Sequence, residues 1–368
     1  MKLYTPSKIY IEKAARACPL TQTILNRLPG IPSEEIENAH ALMAEIRTHR
    51  DPIGEGKRIL FLAYDKGRSF KPFPEAEQYL SCDYFTLHVA EGCDLECSYC
   101  ILQAYLTNPL LTVFVNIEEM LFNLEAVLAS NPERFFRIGT GQLADSLSLD
   151  HITGFSEILV PFFARQKNAV LELKTKSSNI ERLKALNPEG KAIVSWSMNS
   201  RRVQQQEEHK CAALGERLAC AKEMAARPGW RVAFHFDPIL DYPDWEKEYA
   251  EIFREVFTAI PHEKIAWVSL GCLRMMPQLK PIMEERFPKS DAAYAEWITG
   301  MDGKLRYFKP RRIEIYQQAV RLIRQWAPAV TLYLSMESPE VWEHVFGKPV
   351  SKQDVCALLD RAGQARMS

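Results

Sequence analysis

The 368-residue sequence has almost no net charge, because 46 basic and 47 acidic residues leave a formal charge of −1 and a pI near 6.7. This balance argues against a protein held on nucleic acid by bulk charge, although a local basic groove is compatible with it. No run of about 18 apolar residues occurs, so we expect no membrane-spanning segment. The first residues alternate charged and apolar side chains too quickly for a secretory signal, and no internal repeat or low-complexity stretch is evident.

The chain also lacks the cysteine pattern of a disulfide framework. Its nine cysteines are an odd number and mostly scattered, which favours a reducing compartment, and we expect a cytoplasmic protein. Five of them have no ligand spacing and are predicted to be inert: Cys18, Cys82, Cys211, Cys220 and Cys356. With 47% hydrophobic and 25% charged residues, the composition is that of a globular protein with one large core.

Three cysteines do form a motif. Cys93, Cys97 and Cys100 have the spacing C-x3-C-x2-C and follow an apolar run that predicts a strand. Thiolates are the ligands of iron–sulfur centres, and three on one loop can hold three corners of a cubic cluster. The fourth iron then stays open, as an enzyme that cleaves S-adenosylmethionine requires. A structural zinc site prefers four protein ligands, and no second Cys or Cys/His pair follows at a zinc-ribbon distance, so we interpret the motif as a [4Fe-4S] site.

From Tyr84 onward, strand patterns alternate with helix patterns, which is typical of parallel strands joined by helical crossovers. After the strand near Tyr84, five more are predicted at 135–141, 170–176, 193–198, 232–236 and 265–270. Helices are predicted between them, at 179–186, 214–227 and 245–260, with another that begins at an Asn116 cap. The fold class is therefore α/β, with an open partial (β/α)6 barrel of TIM type. We divide the chain into an N-terminal α/β domain at 1–80, the barrel at 81–280, and a C-terminal extension at 281–368.

Polar residues follow the predicted strands at their carboxyl ends, where the active sites of such barrels lie. They are Thr140, Gln142, Lys174, Lys176, Ser197, Asn199, His235, Asp237, Cys272 and Arg274. Five polar strand ends in succession, on the rim that carries the cysteine loop, predict the lining of a pocket. Asp237 precedes a proline, so its backbone is extended and its carboxylate is presented at the strand end. His235 has the alternative role of a core histidine, and Asp145 is either a substrate-side carboxylate or a helix cap.

A basic stretch, KLRYFKPRR, follows the barrel at 304–312, and an amphipathic helix comes after it. One interpretation is a grip on phosphates by Lys304, Arg306 and Arg311, with Tyr307 able to stack on a base. The other interpretation is a solvated charged face.

Taken together, these residues resemble the radical S-adenosylmethionine (SAM) superfamily, and most closely the spore photoproduct lyase family, which repairs a methylene-bridged thymine dimer in spore DNA. The resemblance covers most of the chain. Its motifs are KLYTPSKIYIE, Gly92-Cys93, YCILQ, LTVFVNIEE, Asp150-His151, KTK, WSMN, GERLACA and Asp-Pro-Ile.

The resemblance implies a partial (β/α)6 barrel and a role for several residues. Cys93, Cys97 and Cys100 would ligate a [4Fe-4S] cluster, whose open iron would bind the amino and carboxylate groups of SAM. Other residues would hold the cofactor, namely Thr140, Lys176, Ser197, Asn199 and Arg217. Reductive cleavage of SAM would then release a 5′-deoxyadenosyl radical that abstracts hydrogen from the substrate.

Two positions depart from the lyase pattern. Gln142 stands where the lyase keeps a hydrogen-donating cysteine, and an amide N–H is too strong to quench a carbon radical. Ile101 replaces one tyrosine of the lyase's radical-relay pair, whereas Tyr99 keeps the other. Another thiol could donate instead, and Cys272 is the candidate, although an apolar-flanked cysteine is more often core. Alternatively, the adenosine takes back a hydrogen from the product radical or the substrate, or the enzyme acts on a different lesion or substrate that needs no thiol.

The sequence thus predicts a lyase-like radical SAM enzyme that acts on damaged pyrimidines in DNA and takes electrons from a flavodoxin or ferredoxin. Asp145, Asp237 and Arg274 would contact the substrate, as would the basic stretch. One alternative keeps the radical chemistry and acts on RNA, a peptide or a small metabolite. A second alternative is a non-catalytic nucleic-acid-binding protein with a structural cluster.

Overall fold

A computed structural model of the protein describes residues 1–74, 76–80 and 83–364. The prediction for Cys82 lies outside these residues. Among the described residues, no helix is both long and apolar enough to cross a membrane.

The strands are numbered in chain order. They are β1 (Lys8–Glu12), β2 (Ser33–Ile36), β3 (Ile59–Ala63), β4 (Phe70–Pro72), β5 (Phe85–Leu87), β6 (Ala90–Glu91), β7 (Glu96–Cys97), β8 (Leu111–Phe114), β9 (Phe136–Gly139), β10 (Ala169–Thr175), β11 (Ala192–Ser197), β12 (Glu208–His209), β13 (Arg231–Ile239), β14 (Ile265–Cys272), β15 (Arg274–Met275), β16 (Ile298–Thr299), β17 (Leu305–Arg306) and β18 (Leu332–Leu334).

The α-helices are numbered in the same way. They are α1 (Pro19–Arg27), α2 (His40–Ile46), α3 (Pro52–Gly56), α4 (Leu102–Tyr105), α5 (Ile117–Ala129), α6 (Asp150–Thr153), α7 (Phe155–Ala164), α8 (Arg201–Glu207), α9 (Leu214–Ala225), α10 (Trp245–Ala259), α11 (Leu279–Arg286), α12 (Lys309–Trp326), α13 (Pro339–Phe346) and α14 (Lys352–Gln364). Three short 3₁₀ helices lie at Lys13–Ala15, Glu181–Ala185 and His262–Lys264.

The central sheet is the predicted partial barrel. Its strand order is β18-β14-β13-β11-β10-β9-β5-β4, and the six strands from β5 to β14 in this order are parallel and match the six predicted ones. β18 adds a seventh parallel strand, and β4 pairs antiparallel with β5 at the other edge. The fold class is confirmed as an open, curled α/β half-barrel.

Burial explains why these segments form the sheet. Every residue of β11 and of β14 is buried, and β10 has only Lys174 partly exposed. Parallel strands with helices on one face and a packed interior on the other have nearly continuous apolar sequences. Trp196, Phe234 and Phe236 are fully buried in the middle of the sheet.

The N-terminal region forms a second sheet with the order β2-β1-β3-β8-β6. Two of its strands, β8 and β6, come from the segments that flank the cysteine loop. Both ends of the loop are therefore anchored in the second sheet, whereas β5, separated from β6 by two residues, belongs to the central sheet. The three-part division of the chain stays a prediction, and β18, which the sequence assigned to the extension, is hydrogen-bonded to the barrel.

Two local predictions are confirmed only in part. The segment predicted as a helix at 179–186 is a 3₁₀ helix of five residues, Glu181–Ala185, which ends shortly before Asn187, a residue that precedes a proline and so disfavours helical backbone. The side chain of Asn116 does not cap α5; its Oδ1 accepts from the Asp65 amide at 2.8 Å and its Nδ2 donates to the Asp65 carbonyl at 3.0 Å. The helix itself begins at Ile117, as predicted.

The C-terminal helix α14 packs against β9 and β14, which stand on opposite sides of the curled sheet. Its last turn lies at the amino ends of the strands, where Arg231 donates to the Gly363 carbonyl at 2.6 Å. Arg137 of β9 forms an ion pair with Asp360 at 2.7 Å. The helix therefore covers the base of the barrel.

Candidate active site

The three motif cysteines open onto one cavity at the carboxyl ends of the strands. We call this cavity, of about 250 Å³ and open to solvent, the cysteine chamber. Predicted site residues that line it are Cys93, Cys97, Tyr99, Cys100, Gln142, Asp145, Lys176, Ser197, Asp237 and Arg274. The structure thus brings together residues from five different strand ends and the cysteine loop, as the sequence predicts.

The backbone of the cysteine loop is held by hydrogen bonds on both sides of the motif. The Gly92 amide donates to the Leu143 carbonyl at 2.8 Å, and the Gln103 side chain donates to the carbonyls of Cys97 (3.2 Å) and Ser98 (2.9 Å). Gly92 has a φ of +84°, and a Cβ atom there would lie 2.8 Å from the Leu110 carbonyl oxygen. Only glycine fits this entry to the motif without strain.

The three motif thiols form one donor set. Thiolates are the ligands that iron–sulfur clusters take, and Cys93, Cys97 and Cys100 all line the same chamber. With three thiols on one chamber wall, the donor set fits a [4Fe-4S] cluster.

A buried charge network lies beside Cys97. The Lys176 ammonium lies 5.2 Å from the centre of the Tyr99 ring and 3.9 Å from a Glu208 carboxylate oxygen. The Tyr99 hydroxyl donates to Glu208, which also forms an ion pair of 2.6 Å with Arg217. Burial alone would lower the pKa of Lys176, but the Cys97 and Glu208 anions raise it above its ordinary value. Lys176 is therefore a buried cation beside Cys97, and a cation there could pair with the carboxylate of a bound molecule.

Asp145 is held by four donors and fixes the loop after β9. Its Oδ1 accepts from the amides of Leu147 (3.0 Å) and Ser148 (2.9 Å) and from the Thr175 hydroxyl (2.7 Å), and its Oδ2 accepts from the Lys176 amide (2.7 Å). The carboxylate thus ties the end of β10 to the loop that carries Gln142. Its predicted contact with substrate stays a prediction.

Asp237 and Arg274 form a paired wall of the chamber. Two Arg274 nitrogens lie 3.2 Å from the two Asp237 oxygens, and Arg274 also donates to the Ser335 hydroxyl at 3.1 Å. Burial alone would raise the pKa of Asp237, but Arg274 and Lys174 lower it to about 2. Gly271 leaves room for this pair, because a Cβ atom there would lie 2.5 Å from an Asp237 oxygen.

A second cavity shares this wall with the chamber. Gln142, Lys174, Asp237 and Arg274 line both cavities, and the second one continues past Tyr84, Glu172 and His235. His235 is both a core residue and part of this lining. The Tyr84 hydroxyl donates to Glu172 at 2.6 Å, and the His235 ring nitrogen Nε2 lies 2.8 Å from the same carboxylate. Gln142 therefore stands at the junction of two spaces, of which only one is lined by the motif cysteines.

Other predicted site residues have side chains that are committed within the protein. Cys272 is buried on β14, and its neighbour Gly271 faces the Asp237 carboxylate. Successive residues of a strand point to opposite faces of the sheet. The Cys272 side chain therefore points away from the chamber, towards α12. Burial raises the pKa of its thiol. Asn199 accepts a hydrogen bond from the Tyr249 hydroxyl, and the Thr140 hydroxyl donates to Ser146 at 2.8 Å.

The basic stretch does not form an open row of cations. Each of its charged side chains pairs with a carboxylate of the chain, as follows: Lys304 and Arg306 with Asp302, Lys309 with Glu340, Arg311 with Asp241, and Arg312 with Glu337. Arg306 is buried over the Tyr79 ring, at 4.1 Å. Tyr307 is also buried and stacks on Trp297, with ring centres 5.0 Å apart. A role in phosphate binding stays a prediction, and the solvated-face interpretation does not describe Arg306, which is buried.

Sequence reasoning missed the buried acids and one cysteine. Glu172 lies on β10, whose sequence suggests an apolar strand, and Glu208 lies at the junction that follows α8. The sequence signal for Glu172 was an acid between apolar neighbours. Glu208 has no such signal. Cys211 was predicted to be inert, yet its Sγ atom is 3.5 Å from Cys97 Sγ. Because β7 and β12 come together only in the folded chain, its position could not be inferred from its distance along the sequence.

Comparisons with known proteins agree on one family. The family model described as spore photoproduct lyase matches residues 4–331. The spore photoproduct lyase of Geobacillus sp. (strain Y412MC61) is 24% identical over 309 residues, with 79% of this chain and 85% of that protein covered. The one from Bacillus subtilis (strain 168) is 23% identical over 293 residues, with 78% and 84% covered.

Solved structures show the same fold. A cysteine-to-alanine variant of spore photoproduct lyase superposes with a TM-score of 0.82 at 23% identity, over 91% of this chain and all of that one. A double variant, solved with bound S-adenosylmethionine and a dinucleoside spore photoproduct, has a TM-score of 0.79 at 22% identity over the same shares.

Proposed function

Because the chain belongs to the spore photoproduct lyase family of the radical SAM superfamily, we propose that it cleaves S-adenosylmethionine reductively and abstracts hydrogen from damaged pyrimidines in DNA. It is a radical SAM lyase-type enzyme. The observation that carries the proposal is the cysteine chamber, where Cys93, Cys97 and Cys100 face the strand-end residues Lys176 and Ser197.

The three thiols would hold a [4Fe-4S] cluster, which when bound supplies the electron that splits SAM and yields a 5′-deoxyadenosyl radical. The protein's part is to bind and orient. Lys176 presents a buried cation to the cofactor carboxylate, and Ser197 at the end of β11 presents a hydroxyl. Asp145 fixes the loop of Gln142, so that the rim keeps its shape when the cofactor enters.

The substrate would lie against the wall shared by the two cavities. Arg274 and Lys174 offer N–H donors there, and Asp237 offers an acceptor. Pyrimidine bases carry carbonyl acceptors and N–H donors on their edges, so this wall can hydrogen-bond such a base. Gln142 replaces the donor thiol, and we propose that the hydrogen returned to the product comes from a source other than position 142.

The test is anaerobic reconstitution with iron and sulfide, reduction with dithionite, and chromatography of the products formed from SAM. We expect 5′-deoxyadenosine from the wild-type protein and none from Cys97→Ala. Cys220→Ala is the matched control, because Cys220 lies on α9 away from the chamber and should leave turnover unchanged. Formation of 5′-deoxyadenosine by Cys97→Ala would contradict the proposal, as would a wild-type protein that binds zinc in place of iron.

A second arm tests the substrate, using a dinucleoside spore photoproduct and damaged duplex DNA. Consumption of the lesion with SAM and reductant is the expected result.

Two observations favour a second candidate function. The cations of the basic stretch are paired with carboxylates of the chain, and position 142 carries an amide instead of a thiol. In this candidate the same radical chemistry acts on RNA, a peptide or a small metabolite. SAM cleavage without lesion turnover, together with no salt-dependent binding of damaged DNA, would support that candidate.

A further inference from the structure

Cys211 lies 114 residues from Cys97, outside the C-x3-C-x2-C motif, yet the two Sγ atoms are only 3.5 Å apart. This separation is that of a hydrogen bond between sulfurs, in which the S–H group of one cysteine donates to the other. Cys97 lines the cysteine chamber, whereas Cys211 lies outside the lining that the described residues form. Cys211 thus approaches the predicted ligand from the protein side.

The contact is fixed from several directions. β7 and β12 pair antiparallel with Cys97 opposite Glu208, and the Ser98 amide donates to the Glu207 carbonyl at 2.8 Å. Immediately after β12 the chain turns through Lys210, whose φ of +58° is a left-handed conformation. The Cys211 amide donates to the Glu208 carbonyl at 3.4 Å, and the Ala212 amide donates to the Lys176 carbonyl at 3.0 Å. Backbone contacts on both sides of Cys211 therefore hold its thiol against Cys97.

Iron ligation decides which of the two sulfurs donates. When Cys97 ligates iron it is a thiolate, which can only accept, so the proton must belong to Cys211.

We propose that the Cys211 thiol donates a hydrogen bond to the Cys97 thiolate of the cluster-loaded enzyme and thereby raises the reduction potential of the cluster. The inference rests on the proposed function, since it needs a cluster at the motif. Reduction adds one negative charge to the cluster and its sulfurs, and a hydrogen bond to a sulfur stabilises the reduced state more than the oxidised state. Cys211 is therefore a positioning residue, which acts through Cys97.

The experiment is a potentiometric titration of the reconstituted protein, followed by the electron paramagnetic resonance signal of the reduced cluster. In Cys211→Ala we expect the ratio of reduced to oxidised cluster at a fixed solution potential to fall about tenfold, which for a one-electron couple is a shift of about −59 mV. Cys211→Ser keeps a donor and should titrate at or above the wild-type potential. Cys220→Ala is the matched control, because its thiol lies near the Ser178 carbonyl, away from the cluster, and its potential should not change.

A second readout detects the proton itself. When the wild-type protein is exchanged into deuterated buffer, electron–nuclear double resonance should show that one proton coupling disappears. The same coupling should be absent from Cys211→Ala in ordinary buffer. Equal potentials for wild type and Cys211→Ala, with the coupling still present in the variant, would overturn the inference. If Cys211→Ala retains no cluster, Cys211→Ser carries the test, and a fall in its potential would overturn the inference.

These outcomes stay separate from the proposed function. A wild-type protein that forms no cluster would contradict the proposed function. A cluster that forms normally and ignores the change at Cys211 would contradict this inference alone.

Discussion

The Arg217 guanidinium and the Glu208 carboxylate form an ion pair of 2.6 Å in which both side chains are fully shielded from solvent. Arg217 also donates to the carbonyls of Ala212 (2.8 Å) and Ser197 (2.9 Å). These contacts commit its polar atoms to fixing the end of β11 and the loop that carries Cys211. Arg217 thus lies behind the wall of the cysteine chamber and is not among the described residues that line it.

We therefore predict that Arg217→Met lowers the free energy of unfolding by about 3–5 kcal/mol, because it leaves the Glu208 carboxylate buried with only part of its compensation. Urea denaturation of the cluster-free protein measures this. Arg201→Met is the control, since Arg201 forms an exposed pair with Glu255 and should cost less than about 1 kcal/mol. Unchanged stability together with weaker SAM binding would instead support a direct contact with the cofactor.

Gln142→Cys should restore a thiol where the two cavities meet. If the substrate is a thymine lesion, we expect several-fold more repaired dinucleotide per 5′-deoxyadenosine formed, because a thiol S–H is weak enough to quench a carbon radical. Mass spectrometry of the products from a dinucleoside spore photoproduct measures this ratio. Gln142→Ser provides a side chain of similar size to cysteine without a thiol, and an equal gain in both variants would show that the thiol is not the cause.

His88 makes stability depend on pH just below neutrality. Burial lowers its pKa to about 4, with a further contribution from Lys71. An unfolded histidine takes up its proton near pH 6.5, so between pH 6.5 and 4 the unfolded chain binds more protons than the folded chain, and stability falls as the pH falls. The wild type should lose about 2 kcal/mol more over this range than His88→Gln. Parallel denaturation series that do not diverge would contradict the prediction.

The charged residues of the basic stretch should differ in their effect on stability, because some are buried and others are exposed. Arg306→Met removes a buried partner of Asp302 and should destabilise the protein by about 3 kcal/mol. Lys309→Ala removes an exposed charge and should change stability by less than about 1 kcal/mol. If the stretch does contact phosphates, Lys309→Ala should lower the salt dependence of DNA binding by about one ion. An unchanged salt dependence would leave Lys309 without a role in binding.

Much of the fold follows from local patterns in the sequence. The six barrel strands are apolar runs flanked by helix patterns, and such runs dictate a parallel sheet covered by helices. The polar residue at each strand end then marks the rim, so the chamber could be predicted from residues such as Lys176 and Asp237. The resemblance to the family added the expected ligands at these positions.

The features that the sequence did not predict depend on contacts between segments that are distant along the chain. The pairing of β7 with β12 brings Cys211 to Cys97, and no local pattern encodes it. The orientation of the Cys272 side chain depends on which face of β14 meets the chamber. That face could be identified only from the folded structure, in which Gly271 lies against the Asp237 carboxylate. Likewise, the basic stretch resembles a free cationic surface until its partners, such as Asp241 and Glu337, fold against it.

Helix α14 has a consequence for the order of events in turnover. Since it covers the base of the barrel, a small molecule held in the cysteine chamber has no path out between the amino ends of the strands. A substrate as large as a DNA duplex would rest on the opposite rim and narrow the route that remains there. We therefore expect the cofactor to bind before the nucleic acid, and the release of deoxyadenosine to be slower while the nucleic acid stays bound.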